Sequence, residues 1–160
     1  MFRRILLLSL FIKQWIIKKI YKRIIIDIYH MDKSSLLKAF NNHLFEFIDD
    51  IVTIFPENND IKTTKTFFEM TKKGNVTLLI KIWFTFVETP YGEILEQGDL
   101  DYFINKDYSE DMTNLTNSAD ILAAIDKIRN PIKDMTESSK ANALKYLNNL
   151  NKLSRLYNNK

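Results

Sequence analysis

Beyond residue 35 the apolar side chains return every three or four positions. Leu37, Phe40, Leu44, Phe47, Ile48, Ile51 and Phe55 mark one face of a helix over residues 36–55, with Ser34 or Ser35 to cap it and Pro56 to stop it. A second helix is predicted over residues 61–73: Asp60 opens it, Phe67, Phe68 and Met70 supply its apolar content, Lys72 and Lys73 sit where the dipole favours cations, and Gly74 serves as C-cap. The run VTLLIKIWFTFV at residues 76–87 is apolar nearly all round, so its period fits a buried strand as well as a helix. Length decides for the helix, as do the flanking caps and the lack of any second run for it to pair with. So apolar an element belongs at the centre of the fold.

The remaining pattern continues in kind. Pro90 starts a short helix to Gln97, with Gly98 at its end, and Asp99 caps a further turn containing Leu100, Tyr102, Phe103 and Ile104. Residues 106–117 are polar without period and predict a long loop. Ser118 caps a helix over residues 119–135 with a stripe of Ile121, Leu122, Ile125, Ile128 and Ile132, which Pro131 must kink or split. Thr136 caps the last helix, residues 137–157, whose Leu144, Leu147, Leu150, Leu153 and Leu156 either bury inside the monomer or pair with a second copy as a homo-oligomer. Residues 158–160 should fray. The expectation is an all-α chain: one compact bundle-like domain of about six helices over residues 31–157, preceded by a separate basic, apolar segment at residues 1–30.

Charge separates those two parts. Residues 1–30 hold seven basic side chains and one acid, whereas the rest of the chain holds 16 basic and 19 acidic. The net charge of +3 therefore comes from a basic segment joined to a mildly acidic body. Three readings of the segment stand. The run at residues 5–12 is short for a signal peptide and no small-x-small site follows it, and Lys13, Lys18 and Lys19 interrupt any membrane span. Ile16, Ile17, Ile20 and Ile24 recur at helical spacing with Lys18, Lys19, Lys22 and Arg23 on the other face, the pattern of a helix lying on an anionic membrane surface. Met31-Asp32-Lys33-Ser34-Ser35 also reads as a start followed by a cap, which would make residues 1–30 an upstream extension of the reading frame.

Chemistry is scarce. With no Cys there is no thiolate nucleophile and no sulfur-ligated zinc site. The three Gly are used at helix ends, which leaves no phosphate-cradling loop. His43 lies three and seven residues before Glu46 and Asp50 on one helix side, but its order reverses the Glu-x-x-His of di-iron bundles and ligands from other helices would be needed. No nucleophile–base spacing points to an enzyme, and no catalytic residue, metal or cofactor is assigned.

The sharpest local bias is acidic. Residues 88–111 carry Glu88, Glu93, Glu96, Asp99, Asp101, Asp107, Glu110 and Asp111 against Lys106 alone. Asp99-x-Asp101 lacks the continuation of a calcium loop, and a catalytic carboxylate pair would need a buried pocket. A solvated acidic face, or one that docks a basic protein partner, fits better. The aromatics nearby, Trp83, Phe84, Phe86, Tyr91, Tyr102, Phe103 and Tyr108, lack the interleaved cations that nucleic acid requires and are expected to pack in and around the core.

Lys, Asn and Ile number 18, 15 and 21, about a third of the chain, as in products of AT-rich genomes. Residues 36–63 (LLKAFNNHLFEFIDDIVTIFPENNDIKT), 78–112 (LLIKIWFTFVETPYGEILEQGDLDYFINKDYSEDM) and 121–135 (ILAAIDKIRNPIKDM) resemble a group of short uncharacterised proteins of nucleocytoplasmic large DNA viruses, the mimivirus-like giant viruses among them. The stretch from Pro90 to Tyr108 is the most distinctive. The resemblance covers residues 31–157 and implies a viral origin, a helical body, and a place in the host cytoplasm or the virion, membrane-associated if residues 1–30 are translated. It carries over no functional residue.

Overall fold

A computed structural model describes residues 14–20, 22–23, 31–106 and 119–160. The chain divides into two units, Met1–Asp32 and Lys33–Lys160. The second unit is all-α, with no strand among the described residues.

Helix α1 (Lys33–Ile54) buries Phe40, Leu44, Phe47, Ile48 and Ile51 of the predicted stripe, but Leu36, four residues before Phe40, is buried in place of Leu37, and Phe55 lies beyond the helix and is only half-buried. The last helix, α7 (Glu137–Asn158), lies along it and runs the opposite way: Lys33 meets Tyr157, while Phe47 and Asp50 meet Tyr146. Thr136 caps α7 by accepting the Ser139 N–H at 3.2 Å, as its position predicts. Between these two lie α2 (Asn59–Gly74), α3 (Leu78–Trp83), α4 (Thr89–Glu96), α5 (Leu100–Asn105) and α6 (Ala119–Arg129). Among the described residues of this unit the helices number seven, against the expected six, because the turn after Asp99 is a helix in its own right.

The buried seam of α7 differs from the leucine row. Ala143, Leu147, Leu150, Ser154 and Tyr157 are buried, with Asn151 beside them, whereas Leu144, Leu153 and Leu156 are only half-buried at its flanks. A strict spacing of three turns back about 60° per step around a helix, so five such leucines cannot share one face. Alternating steps of four and three keep the seam on α1. The apolar face of α7 is therefore covered within the chain.

Three boundaries move from their expected places: α1 begins at Lys33, so Ser34 and Ser35 lie within its first turn and do not precede it as caps. Asn58, not Asp60, caps α2, accepting the Ile61 N–H at 3.2 Å. Gly74 closes α2 with Asn75 as the C-cap, and neither has a positive φ, so this end makes no use of glycine's freedom.

The central apolar run is a helix, and it continues through Pro90. From α3 the chain enters a π-helical turn, Phe84–Glu88, and passes without a break into α4. A proline inside a helix clashes with the carbonyl four residues back and leaves it without a donor. The turn before the proline is widened: the Thr89 N–H and hydroxyl both bond to Phe84 O, five residues back. Ile80, Ile82, Trp83 and Val87 are buried, and α3 touches α1, α2 and α7.

Pro131 splits the sixth helix, as predicted. After Arg129 the chain tightens into a 3₁₀ segment, Asn130–Asp134, with the proline in its first turn. Apart from Lys106, the expected loop lies outside the described residues.

Candidate functional site

The acidic stretch resolves into side chains with separate tasks. Glu88 ends the π turn and is buried at 8 % exposure. Its Oε1 accepts Arg155 Nε of α7 at 2.5 Å, and Arg155 Nη2 reaches Glu96 Oε1 at 3.0 Å. Arg155 thus clamps both ends of α4 to α7. Its hydrogen bond to Glu88 outweighs burial and holds its pKa above the ordinary value. Gly92 lies under the clamp, where a Cβ would stand 3.2 Å from Glu88 Oε1 and 3.3 Å from Arg155 Nη2. Asn148 of α7 adds a bond from its Nδ2 to Leu95 O at 3.2 Å. Glu88 therefore leaves the docking candidates. A local charge count cannot see an arginine 67 residues away.

Four described carboxylates remain at the surface: Glu93, Glu96, Asp99 and Asp101. They flank one turn. At the end of α4, Gly98 N–H bonds to Leu95 O at 3.0 Å and Asp99 N–H to Ile94 O at 3.1 Å, with Gly98 at φ 87°. This pair of bonds forms a Schellman motif, whose left-handed residue favours glycine. Asp99 then caps α5 by accepting the Tyr102 N–H at 2.9 Å. The side chains of Glu93 and Asp101 have neither ion pair nor hydrogen bond among the described residues. Tyr102 stands beside Asp101 with 46 % of its surface exposed. Lys106 is folded onto Tyr91, its Nζ donating to the phenol oxygen at 2.5 Å and sitting 4.7 Å from the ring centre. Asp107, Glu110 and Asp111 lie outside the described residues.

This edge is anchored from beneath. Arg129, buried at the end of α6, donates through Nη1 to Phe103 O at 2.8 Å and to Lys106 O at 2.7 Å, so it binds carbonyls at the C-terminal end of α5. Its Nη2 pairs with Asp126 at 2.8 Å. Neither Arg129 nor Arg155 is distinguished in the sequence from a solvated helix cation.

The other chemical candidates do not converge. His43 Nδ1 is 3.4 Å from Glu46 Oε2, but Asp50 turns to accept the Tyr146 hydroxyl at 2.8 Å. The imidazole packs on the Tyr146 ring at 4.8 Å. Among the described residues no three His, Asp or Glu side chains gather as a metal would require. Asp99 is engaged as a cap, and it and Asp101 are exposed rather than enclosed. A groove of about 530 Å³ between α1 and α2 mixes Glu46, Asp49 and Glu69 with Lys65, Lys72 and Lys73. Lys65 and Asp49 pair within it at 2.6 Å.

In the first unit, residues 14–20 and 22–23 are helical and exposed, including Ile16, Ile17, Ile20, Lys18, Lys19, Lys22 and Arg23. Ile24 lies outside the described residues. No helix among the described residues is long and apolar enough to cross a membrane.

No family model, curated protein or solved structure matches this chain.

Proposed function

We propose that the chain is an interaction protein, not an enzyme, that docks a basic protein partner on the edge formed by Glu93, Glu96, Asp99 and Asp101. One observation carries the reading: Glu93 and Asp101 are exposed, with no ion pair from either carboxylate among the described residues, on either side of a turn held by the Arg155 clamp and the Asp99 cap. Fixed carboxylates of one sign attract cations over about 8–10 Å at physiological salt and orient them on approach. The exposed Tyr102 ring offers apolar contact and a face for a lysine or arginine. Under the resemblance to large DNA virus proteins, such a partner is met in the host cytoplasm or the virion.

A labelled lysine-rich peptide tests the surface. Binding should weaken steeply between about 0.01 M and 1 M salt, as the Debye length falls from about 30 Å to 3 Å. Glu93→Gln with Asp101→Asn should weaken it about tenfold, while Glu57→Gln, at an exposed acid of the α1–α2 turn, leaves it unchanged. Binding that ignores salt, or that Glu57→Gln weakens equally, would refute the reading.

A further inference from the structure

The helical residues 14–20 and 22–23 carry a surface that the docking edge does not use. At about 100° per residue, Ile16, Ile17 and Ile20 fall within roughly a third of the circumference. They are 43, 52 and 52 % exposed. Lys18, Lys22 and Lys19 take the other side, Arg23 borders the stripe next to Ile16, and no acid lies between residues 14 and 23. Trp15 sits at the basic side with 62 % exposure, and Lys19 Nζ lies 4.9 Å above its ring.

An isoleucine stripe held in water favours any surface that covers it. The charges say what kind. Four cations without an acid select a negative surface, and their long stems let the ammonium groups reach outward while the isoleucines go down. An indole paired with a lysine suits the boundary between apolar and aqueous layers, where tryptophan gathers at bilayers. The cations also interrupt the stripe too often for it to span.

We propose that this helix lies in the plane of an anionic lipid surface, with Ile16, Ile17 and Ile20 among the acyl chains and Lys18, Lys19, Lys22 and Arg23 on acidic headgroups. The proposal is independent of the docking edge and stands or falls separately.

The test uses the full chain with vesicles of phosphatidylcholine alone and of phosphatidylcholine with phosphatidylserine, read by co-sedimentation and tryptophan emission. The chain has two tryptophans, and Trp83 is already buried, so a blue shift on binding reports Trp15. Binding and shift are expected with phosphatidylserine and not without it. Each of Lys18→Gln, Lys19→Gln, Lys22→Gln and Arg23→Gln should weaken binding about fivefold. Ile17→Asn with Ile20→Asn should abolish the shift while the urea midpoint of the helical body stays unchanged, which separates lost insertion from lost folding. Equal binding to both vesicles, variants that bind as the parent does, or no binding at all would overturn the proposal.

Discussion

Trp83 donates its indole N–H to Asn151 Oδ1 across 2.8 Å, with Asn151 fully buried and Trp83 nearly so. An indole nitrogen can only donate, so this bond fixes which way the amide faces. It also sets the register between α7 and the last turn of α3, just before the helix widens. Asn151→Ala strands the donor where water cannot reach it and opens a small cavity, and should lower the unfolding free energy by about 2–3 kcal/mol. On a Trp83→Phe background the same change should have a smaller effect, since no donor is stranded. Urea denaturation of the four proteins gives the coupling. Strict additivity would show that the bond contributes nothing beyond packing.

Gly92 has its place because of the ion pair above it. A helical Gly→Ala change ordinarily stabilises by about 1 kcal/mol. Here the added Cβ would meet Glu88 Oε1 at 3.2 Å and Arg155 Nη2 at 3.3 Å, so Gly92→Ala should destabilise by displacing the clamp. Removing the guanidinium by Arg155→Ala should itself cost about 1–3 kcal/mol, below the figure for a fully buried pair because Arg155 is 39 % exposed. In that background Gly92→Ala should be neutral or stabilising. A thermal melt in which Gly92→Ala has the same effect with and without Arg155 would sever the link.

The sequence was legible where one local force dominates. The middle of the α1 stripe, Phe40 to Ile51, and the Asp99 and Thr136 caps rest on spacing and on a single side chain beside its own helix, and the structure shows each, while Leu36 takes the place of Leu37 at the start. The split at Pro131 was equally plain, since the proline acts on its own backbone. Pro90 reads as a helix start by the same logic and stands in the first turn of α4, but the chain reaches it through the π turn and not through a break, which Pro90 alone does not reveal. The acidic edge was visible as a count of charges. The burial of Glu88 was not, because it depends on Arg155 arriving from α7. The buried Asn151 and Ser154 were hidden for the same reason: a polar residue reads as surface until its partner is known.

Glycines 74 and 98 both close helices, yet they should respond oppositely to alanine. Gly74 has an ordinary φ and nothing within 4 Å of a Cβ position, so Gly74→Ala should stabilise by about 0.5–1 kcal/mol. Gly98 has the same open space but sits at φ 87°, where an L side chain is strained by about 1–2 kcal/mol. Gly98→Ala should lower the melting temperature and loosen the turn that presents Asp99 and Asp101. Amide exchange at Gly98 and Asp99 would report that loosening directly, and unchanged protection there would count against the Schellman geometry as the reason for glycine.

Tyr146 gives the fold a dependence on alkaline pH. Its hydroxyl donates to Asp50 Oδ2, and that bond, with burial and the nearby Asp50 and Glu46 charges, raises the phenol pKa above its ordinary value of 10.0. The folded state therefore holds this proton more tightly than the unfolded chain does. Its contribution to stability is complete below about pH 10 and is lost as pH rises through the higher folded value. Because Asp50 belongs to α1 and Tyr146 to α7, the loss falls on the main helix pair. Phenolate absorbance should show Tyr146, identified by subtracting the Tyr146→Phe protein, titrating after an unperturbed tyrosine. Asp50→Ala should bring it down toward the ordinary range and flatten the alkaline fall in stability. A difference titration with an unperturbed midpoint in the parent protein would show that the Asp50 contact does not hold the proton in solution.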